Sequence, residues 1–411
     1  MALTRLRRVL QSHYTVRLRS DQRLLNRVNG QIARRAQKCV AKGQTPPVTK
    51  RVPSFVASVQ ARPQWTIRAI SLLHKIGTLT TPAWVNLAQL SASWATRRYF
   101  WAIADGNGGQ QDFRLSEDAR RLDFHQKTLL SDEMGVGFAG LLAEEILNAS
   151  SFADVSKALD DPTVHQDVQQ VGTAQPDYLM WGEDAQSPYY VVECKGCQTN
   201  SSTSMDQIRR GLEQVPSLVF GIGARSIVPL VIATHLEQER TTIFVLDPPN
   251  DAHDRGPTGD SGEERVSKRI GERTWEVTNV PEFERRTRLS KESELLKWAG
   301  QFSKALERDK SLAPLETVPA LPDLELETRK TRVAAYKGHS SLLFPELGYR
   351  SLRVFTGVEE ELLAKIVEDS PDAIKNAKAI QEQLAGQAVD QESPYVSQSR
   401  NGTCMIVEGV E

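Results

Sequence analysis

Three side chains of this sequence stand at a spacing that could do chemistry on a phosphate. Asp177 follows Pro176, and after fifteen intervening residues come Glu193, Cys194 and Lys195. Hydrolysis of a phosphodiester gathers extra negative charge around phosphorus and needs an activated water in line with the leaving oxygen. A hard divalent cation, Mg²⁺ (or Mn²⁺), meets both needs, and Mg²⁺ is usually held by one or two carboxylates together with waters and the substrate phosphate. Asp177 and Glu193 would be those carboxylates. Lys195 would orient or deprotonate the attacking water and offset the developing charge. The plainer reading of the same residues is an ion pair at a strand end and a turn aspartate after proline, so the surrounding elements must decide.

The run YYVVECK, residues 189–195, is rich in aromatic and β-branched side chains and predicts a buried strand. Its alternation puts Val191, Glu193 and Lys195 on one face and Val192 and Cys194 on the other. Cys194 therefore points away from the acids. That argues against zinc at Cys194-x-x-Cys197, because the pair offers two ligands and no nearby His or Cys pair completes a tetrahedron. Strands are also predicted over Val164–Val171, Tyr178–Trp181, 226–234 and 241–247, with Pro229 placing one of them at an edge. A helix over Ser204–Val215 carries Met205, Ile208, Leu212 and Val215 inward. Another helix is predicted over 133–150. Projected at ~100° per residue, it gathers Phe138, Leu141, Leu142 and Ala149 on one face with Glu145 among them and Glu144 turned away. A carboxylate aimed at a core needs a partner; the alternatives are a partly exposed Glu145 or a buried salt bridge.

Helix, three strands, helix and strand, with Pro176-Asp177 and Glu193-Cys194-Lys195 on the strands, resemble the PD-(D/E)xK nuclease superfamily. The resemblance implies an α/β fold over residues 126–310, a restriction-endonuclease-like mixed central sheet flanked by helices. It implies a metal site built from Asp177, Glu193, an inward helix glutamate (Glu145) and the backbone carbonyl of Cys194, with cleavage leaving a 5′-phosphate. One departure is visible. Some branches of the superfamily carry Gln-x-x-x-Tyr after the lysine, whereas here Gln207 is followed by Gly211 at the tyrosine position.

The charge of the chain is segregated. Residues 1–51 hold 13 Lys/Arg against the single Asp21, although the formal net charge of the whole is only −1. Residues 5–38 predict one or two helices, the second capped by Ser20 and carrying Leu24, Leu25, Val28 and Ile32 inward. Such a basic helical arm suits phosphate contact through counterion release; a solvated helix docked on an acidic neighbour is the alternative. Gly43–Pro53 predicts a linker. Helices over 66–76, 81–90 and 93–103, a turn over 105–109 and the segment FRLSEDARRL resemble the winged helix-turn-helix family. That resemblance implies a DNA-binding domain over residues 52–125, with Thr96, Arg97 and Arg98 as DNA contacts and Asn107 at the wing tip. The alternative is a helical scaffold or protein-binding winged helix.

Residues 248–264 predict a mobile loop, 289–306 an amphipathic helix, and 311–324 a proline-spaced linker. Strand-like SLRVF, helices over 357–386 and a hairpin at Asn401-Gly402 predict a small α/β unit over residues 325–411. With 411 residues, 39% of them hydrophobic, the chain can form more than one core. Four scattered cysteines and the lack of a long apolar segment predict a cytoplasmic protein with no membrane partner. The expected function is a metal-dependent DNA endonuclease, of restriction or anti-phage defence type by analogy of architecture. The alternative is a DNA-binding regulator with a degenerate, non-cutting nuclease fold. DNA is the expected partner, with RNA left open, and a second copy or a partner protein of a defence complex would complete the assembly.

Overall fold

The computed structural model describes residues 2–44, 55–80, 95–106, 109–155, 176–182, 187–215, 218–220, 226–247, 275–277, 279–312, 323–331, 334–343, 352–370 and 395–409, with a few positions between 373 and 383. It is a mixed α/β protein around an eight-stranded sheet, and strands from the first 112 residues belong to that sheet. Its strands are β1 (His13–Arg19), β2 (Gln64–Arg68), β3 (Gln110–Asp112), β4 (Ser151–Asp154), β5 (Tyr178–Trp181), β6 (Tyr189–Cys197), β8 (Ile227–Leu236) and β9 (Thr241–Leu246), and a separate pair, β7 (Leu218–Phe220) and β10 (Trp275–Val277), runs parallel. The order is β2-β1-β9-β8-β6-β5-β4, with β3 alongside β1. Strands β6 and β8 are parallel, as are β1 and β9, while β4, β5 and β6 form an antiparallel meander.

The strand β1 replaces part of the expected basic helical arm. HYTVRLR alternates, burying Tyr14, Val16 and Leu18 while Arg17 is exposed, and a period of two suits a pleated strand. Helix α1 (Ala2–Gln11) precedes it and α2 (Gln22–Ala41) follows. The cap of α2 is Asp21, which accepts from the Leu24 N–H at 2.8 Å. Ser20, the expected cap, accepts instead from the Val56 N–H at 2.8 Å. The expected helix 66–76 is in fact β2 running into α3 (Ala69–Leu79). Residues Gly43–Pro53 and 81–90, and Asn107, lie largely or wholly outside the described residues, as do Val164–Val171, 248–264 and most of 311–324.

Each face of the sheet carries helices. On one, α3 and α4 (Phe124–Ile146) pack against Tyr14, Val192, Cys194, Leu230 and Ile232. On the other, α2 and α5 (Ser201–Gln214) pack through Leu24, Leu25, Val28, Met205, Ile208 and Leu212 against Val191, Val231, Ala233 and Phe244. Strand β8 is central, contrary to the edge that Pro229 predicts. Its pairing with β9 begins only at Val231, so Pro229 lies before that ladder and its missing N–H disturbs nothing there. The expected helix 289–306 is broken into α6 (Val280–Ala299) and α7 (Phe302–Leu312) by Gly300, whose φ of 87° ends α6 in the left-handed conformation that favours glycine.

Strands β11 (Glu327–Lys330), β12 (Ala335–Leu343), β13 (Leu352–Glu359), β14 (Val396–Gln398) and β15 (Thr403–Gly409) form a second, antiparallel sheet in the order β11-β12-β13-β15-β14. Helix α8 (Glu360–Glu368) follows β13. The hairpin at Asn401-Gly402 turns as predicted, with Gly402 at φ 89°. Among the described residues, no helix is long and apolar enough to cross a membrane.

Candidate functional site

The spacing of Asp177 and Glu193 becomes geometry through the β5–β6 hairpin. Tyr178 is opposite Val192 in the antiparallel register, so one step further sets Asp177 opposite Glu193. Side chains facing each other across such a pair lie ~4.5–5.5 Å apart at Cβ, close enough for like charges to repel. The carboxylate of Asp177 is pinned, its Oδ2 accepting from the Cys194 N–H at 2.7 Å. Glu193 is fully buried. Its Oε1 accepts from Lys195 Nζ, and Oε2 is buried with no hydrogen-bond partner among the described residues. Lys195 remains partly exposed, its side chain 23% accessible.

The electrostatics follow from burial. Removal from water, then the neighbouring Asp177, push the Glu193 carboxyl up to about 8, against the pull of Lys195. Burial raises Asp177 as well, with Lys195 opposing and Asp154 and Asp132 adding to it. Burial works against the charge of Lys195, yet Glu193 and Asp177 outweigh it and hold the ammonium above its ordinary value. Lys195 is thus a committed cation at neutral pH, better suited to neutralising charge on a phosphate or fixing a water than to removing a proton.

Beside Asp177 and Lys195 opens a recess of about 370 Å³, lined by Asp132, Val136, Asp154, Pro176, Asp177, Tyr178, Cys194 and Lys195. Asp132 comes from α4, and burial raises its carboxyl while Lys195 lowers it. It is the α4 carboxylate that lines this recess, which Glu145, expected there from sequence, does not. The correction has a simple cause: α4 crosses β6 at its own middle. A Cβ on Gly196 would come within 1.8 Å of the Ser131 carbonyl oxygen, and one on Gly135 within 3.0 Å of the Lys195 carbonyl. Helix and strand therefore meet backbone to backbone next to Asp132. Glu145 lies 13 residues further on, ~20 Å along the helix, where it accepts from Trp65 Nε1 at 2.7 Å. Glu144, expected to face away from the core, is buried and bridges Lys75 at 2.5 Å.

Helix α5 covers the Glu193 side. A Cβ on Gly211 would stand 3.2 Å from Glu193 Cγ and 2.8 Å from Val231, so the space a tyrosine would need is occupied by the glutamate itself. Gln207 donates to the Gly196 carbonyl at 3.0 Å, fixing the strand end. The signal for Asp132 was present in sequence as Asp132 three residues before Gly135, a small residue where a helix can touch a strand. The predicted helix began one residue too late to include it.

The residues named as DNA contacts are placed otherwise. Thr96 is fully buried, its hydroxyl directed at Met405 Sδ at 3.9 Å. Arg97 and Arg98 are half-buried, Arg98 lying 3.9 Å from Glu133. A threonine under the C-terminal sheet has no path to a base edge, which corrects that expectation for Thr96. All four cysteines are buried and free.

For a divalent cation the donors fit in number and kind. Asp177 keeps Oδ1 without a described hydrogen bond and lines the recess together with Asp132, while Glu193, which does not line it, keeps a buried Oε2. No group of three or more His, Cys, Asp or Glu among the described residues forms a ready-made cage; a two-carboxylate site completed by water and phosphate needs none. Compared with models of protein families, with characterised proteins and with solved structures, the chain matches none.

Proposed function

We propose that the protein is a metal-dependent nuclease of the PD-(D/E)xK kind, hydrolysing phosphodiester bonds in DNA. The observation that carries this reading is the buried Glu193 with an unpartnered Oε2, set across from a pinned Asp177 and beside Lys195, the latter two lining an open recess. A buried carboxylate oxygen without a partner is costly in a purely structural role. A divalent cation held by Asp177 and Glu193, with Asp132 as a further carboxylate in place of Glu145 and the Cys194 carbonyl as the remaining expected donor, would supply Lewis acidity and a more acidic water. The Cys194 N–H fixes the Asp177 carboxylate, α5 closes over Glu193 and excludes water from that side, and Lys195 presents a positive charge to the scissile phosphate or to the water beside it.

Supercoiled plasmid, linear duplex and RNA, each with Mg²⁺, Mn²⁺ or chelator, test the reading directly. Cutting of DNA should require the cation and fall ~10²–10³-fold or more in Asp177→Ala and Lys195→Ala, the size seen on removing one group that stabilises transition-state charge. Equal cutting by Asp177→Ala would overturn the site. Failure of the wild-type protein to cut with either cation, with DNA still bound, would favour a non-cutting DNA-binding protein.

A further inference from the structure

Between Asp21 and Asp105 the sequence contains 13 Lys/Arg and no Asp or Glu. Five of those cations lie on α2 and a sixth, Lys42, caps its C-terminus. At ~100° per residue, Arg23, Arg27, Arg34, Arg35, Lys38 and Lys42 fall within about 120° of arc, which overlaps at Leu24 the edge of the side that buries Leu24, Leu25 and Val28. Arg23, Arg34, Arg35, Lys38 and Lys42 are exposed, and no carboxylate among the described residues pairs with them. Elsewhere Arg121, Lys304 and Lys365 sit against acids three or four residues away in sequence.

The stripe has a definite position. Arg27 Nη2 donates to the Ser201 carbonyl and Gln31 Nε2 to Ser202 Oγ, both at 3.4 Å. Ser201 opens α5, six residues after Lys195. The stripe therefore starts beside the segment that leaves the recess, and residues 32–41 carry it ~15 Å beyond the last of these hydrogen bonds. From Arg23 to Lys42 it is ~28 Å long, with steps of four, seven, four and four residues along Arg23, Arg27, Arg34, Lys38 and Lys42. That length matches ~8 base pairs of duplex at ~3.4 Å each, far more than one nucleotide could use.

We propose that the basic stripe of α2 is the surface that holds the phosphate backbone of a nucleic-acid duplex, without reading sequence, and leads it to the Asp177–Lys195 recess. In naming the partner this rests on the nuclease reading; the contact itself does not depend on cutting. A lipid surface suits the helix poorly, because its apolar residues are spent on the core and only Val40 stands out large and exposed. The acidic remainder of a second copy is the other polyanion available.

The test is fluorescence anisotropy of a labelled duplex of about 20 base pairs with full-length protein under chelator, at several salt concentrations. Arg34→Gln, Arg35→Gln, Lys38→Gln and Lys42→Gln combined should weaken binding more than ~10-fold near 0.1 M salt and flatten the slope of log K against log salt by about 3–4 units. The milder pair Arg34→Gln with Lys38→Gln should flatten it by about 2, and charge-keeping Arg34→Lys with Arg35→Lys should leave it unchanged. Melting curves verify that the variants fold. The inference is overturned if the fourfold variant binds duplex as the wild type does. It is equally overturned if vesicles containing anionic phospholipid bind and duplex does not, or if sedimentation shows that the substitutions abolish self-association while duplex binding persists. Because binding is read without metal, a protein that never cuts still tests the stripe, and a stripe that fails leaves the cutting assay standing.

Discussion

Glu144 and Glu145 are neighbours on one turn of α4 and have opposite surroundings. Glu144 is buried against Lys75, and its Oε1 also accepts from the Arg400 N–H. Glu145 is partly buried against Trp65. Burial raises the Glu145 carboxyl to about 7, Glu144 adding to the shift while the Trp65 hydrogen bond, Lys75 and Arg400 oppose it; Arg68 is the other charge that senses it. Unfolded, the group ionises near 4.5. Between pH 4.5 and 7 the unfolded chain has already lost this proton while the folded protein keeps it, so stability falls as pH rises through that window and is level above it. Glu145→Gln keeps an acceptor for Trp65 and removes the titration. Urea midpoints at both ends of the window should show the wild type losing about 1–2 kcal/mol more than the variant, a figure discounted for the partial exposure of the carboxylate.

At the scale of elements, the meeting of α4 with β6 decides where chemistry can happen. Gly196→Ala puts a methyl onto the Ser131 carbonyl, where neither backbone can yield cheaply. The variant should lose ~1–3 kcal/mol by overpacking, read in a denaturant melt, and should lose cutting with α4 displaced from Lys195. Gly30, in the middle of α2, has nothing within 4 Å of the same built atom. Gly30→Ala should gain ~0.5–1 kcal/mol from the ordinary helix preference. These contrasts also mark what could be read from sequence. Strand β6 was legible because YYVVECK admits little else, and with it the shared face of Glu193 and Lys195. Strand β1 was not, since its arginines drew attention from the alternation of Tyr14, Val16 and Leu18. Which glutamate of α4 turns inward was misjudged because α4 is covered on more than one side, by the sheet and by the C-terminal hairpin, so a single apolar face could not be projected from it.

On the scale of the whole molecule, the C-terminal sheet is an antiparallel unit in topology but not in packing. His74, fully buried, has Nδ1 3.0 Å from Ser397 Oγ and Nε2 3.0 Å from Thr403 Oγ1, and it stacks on Trp298. Lys75 donates to Ser399 at 2.6 Å, and Trp298 donates to the Cys404 carbonyl at 3.1 Å. Residues 1–312 without this sheet would keep the Lys75–Glu144 pair but lose the groups that complete its hydrogen bonding. Unpaired or half-satisfied buried charges cost several kcal/mol. That shortened chain should be cut rapidly by protease under conditions in which the full protein resists, with a broad melting transition. A sharp transition and equal resistance would mean that the two sheets are independent.

The pairing of β1 with β9 also dictates an order of events during synthesis. Arg17 is opposite Thr242 and Leu18 opposite Ile243, so the first strand cannot find this neighbour until more than 220 residues have followed it. Until then β1 has only β2 and the three-residue β3 as partners, little more than a two-stranded ribbon, which is marginal in water. Closing so long a loop is slow, and the nascent chain must spend that interval with an arginine-rich segment and an open strand edge unprotected.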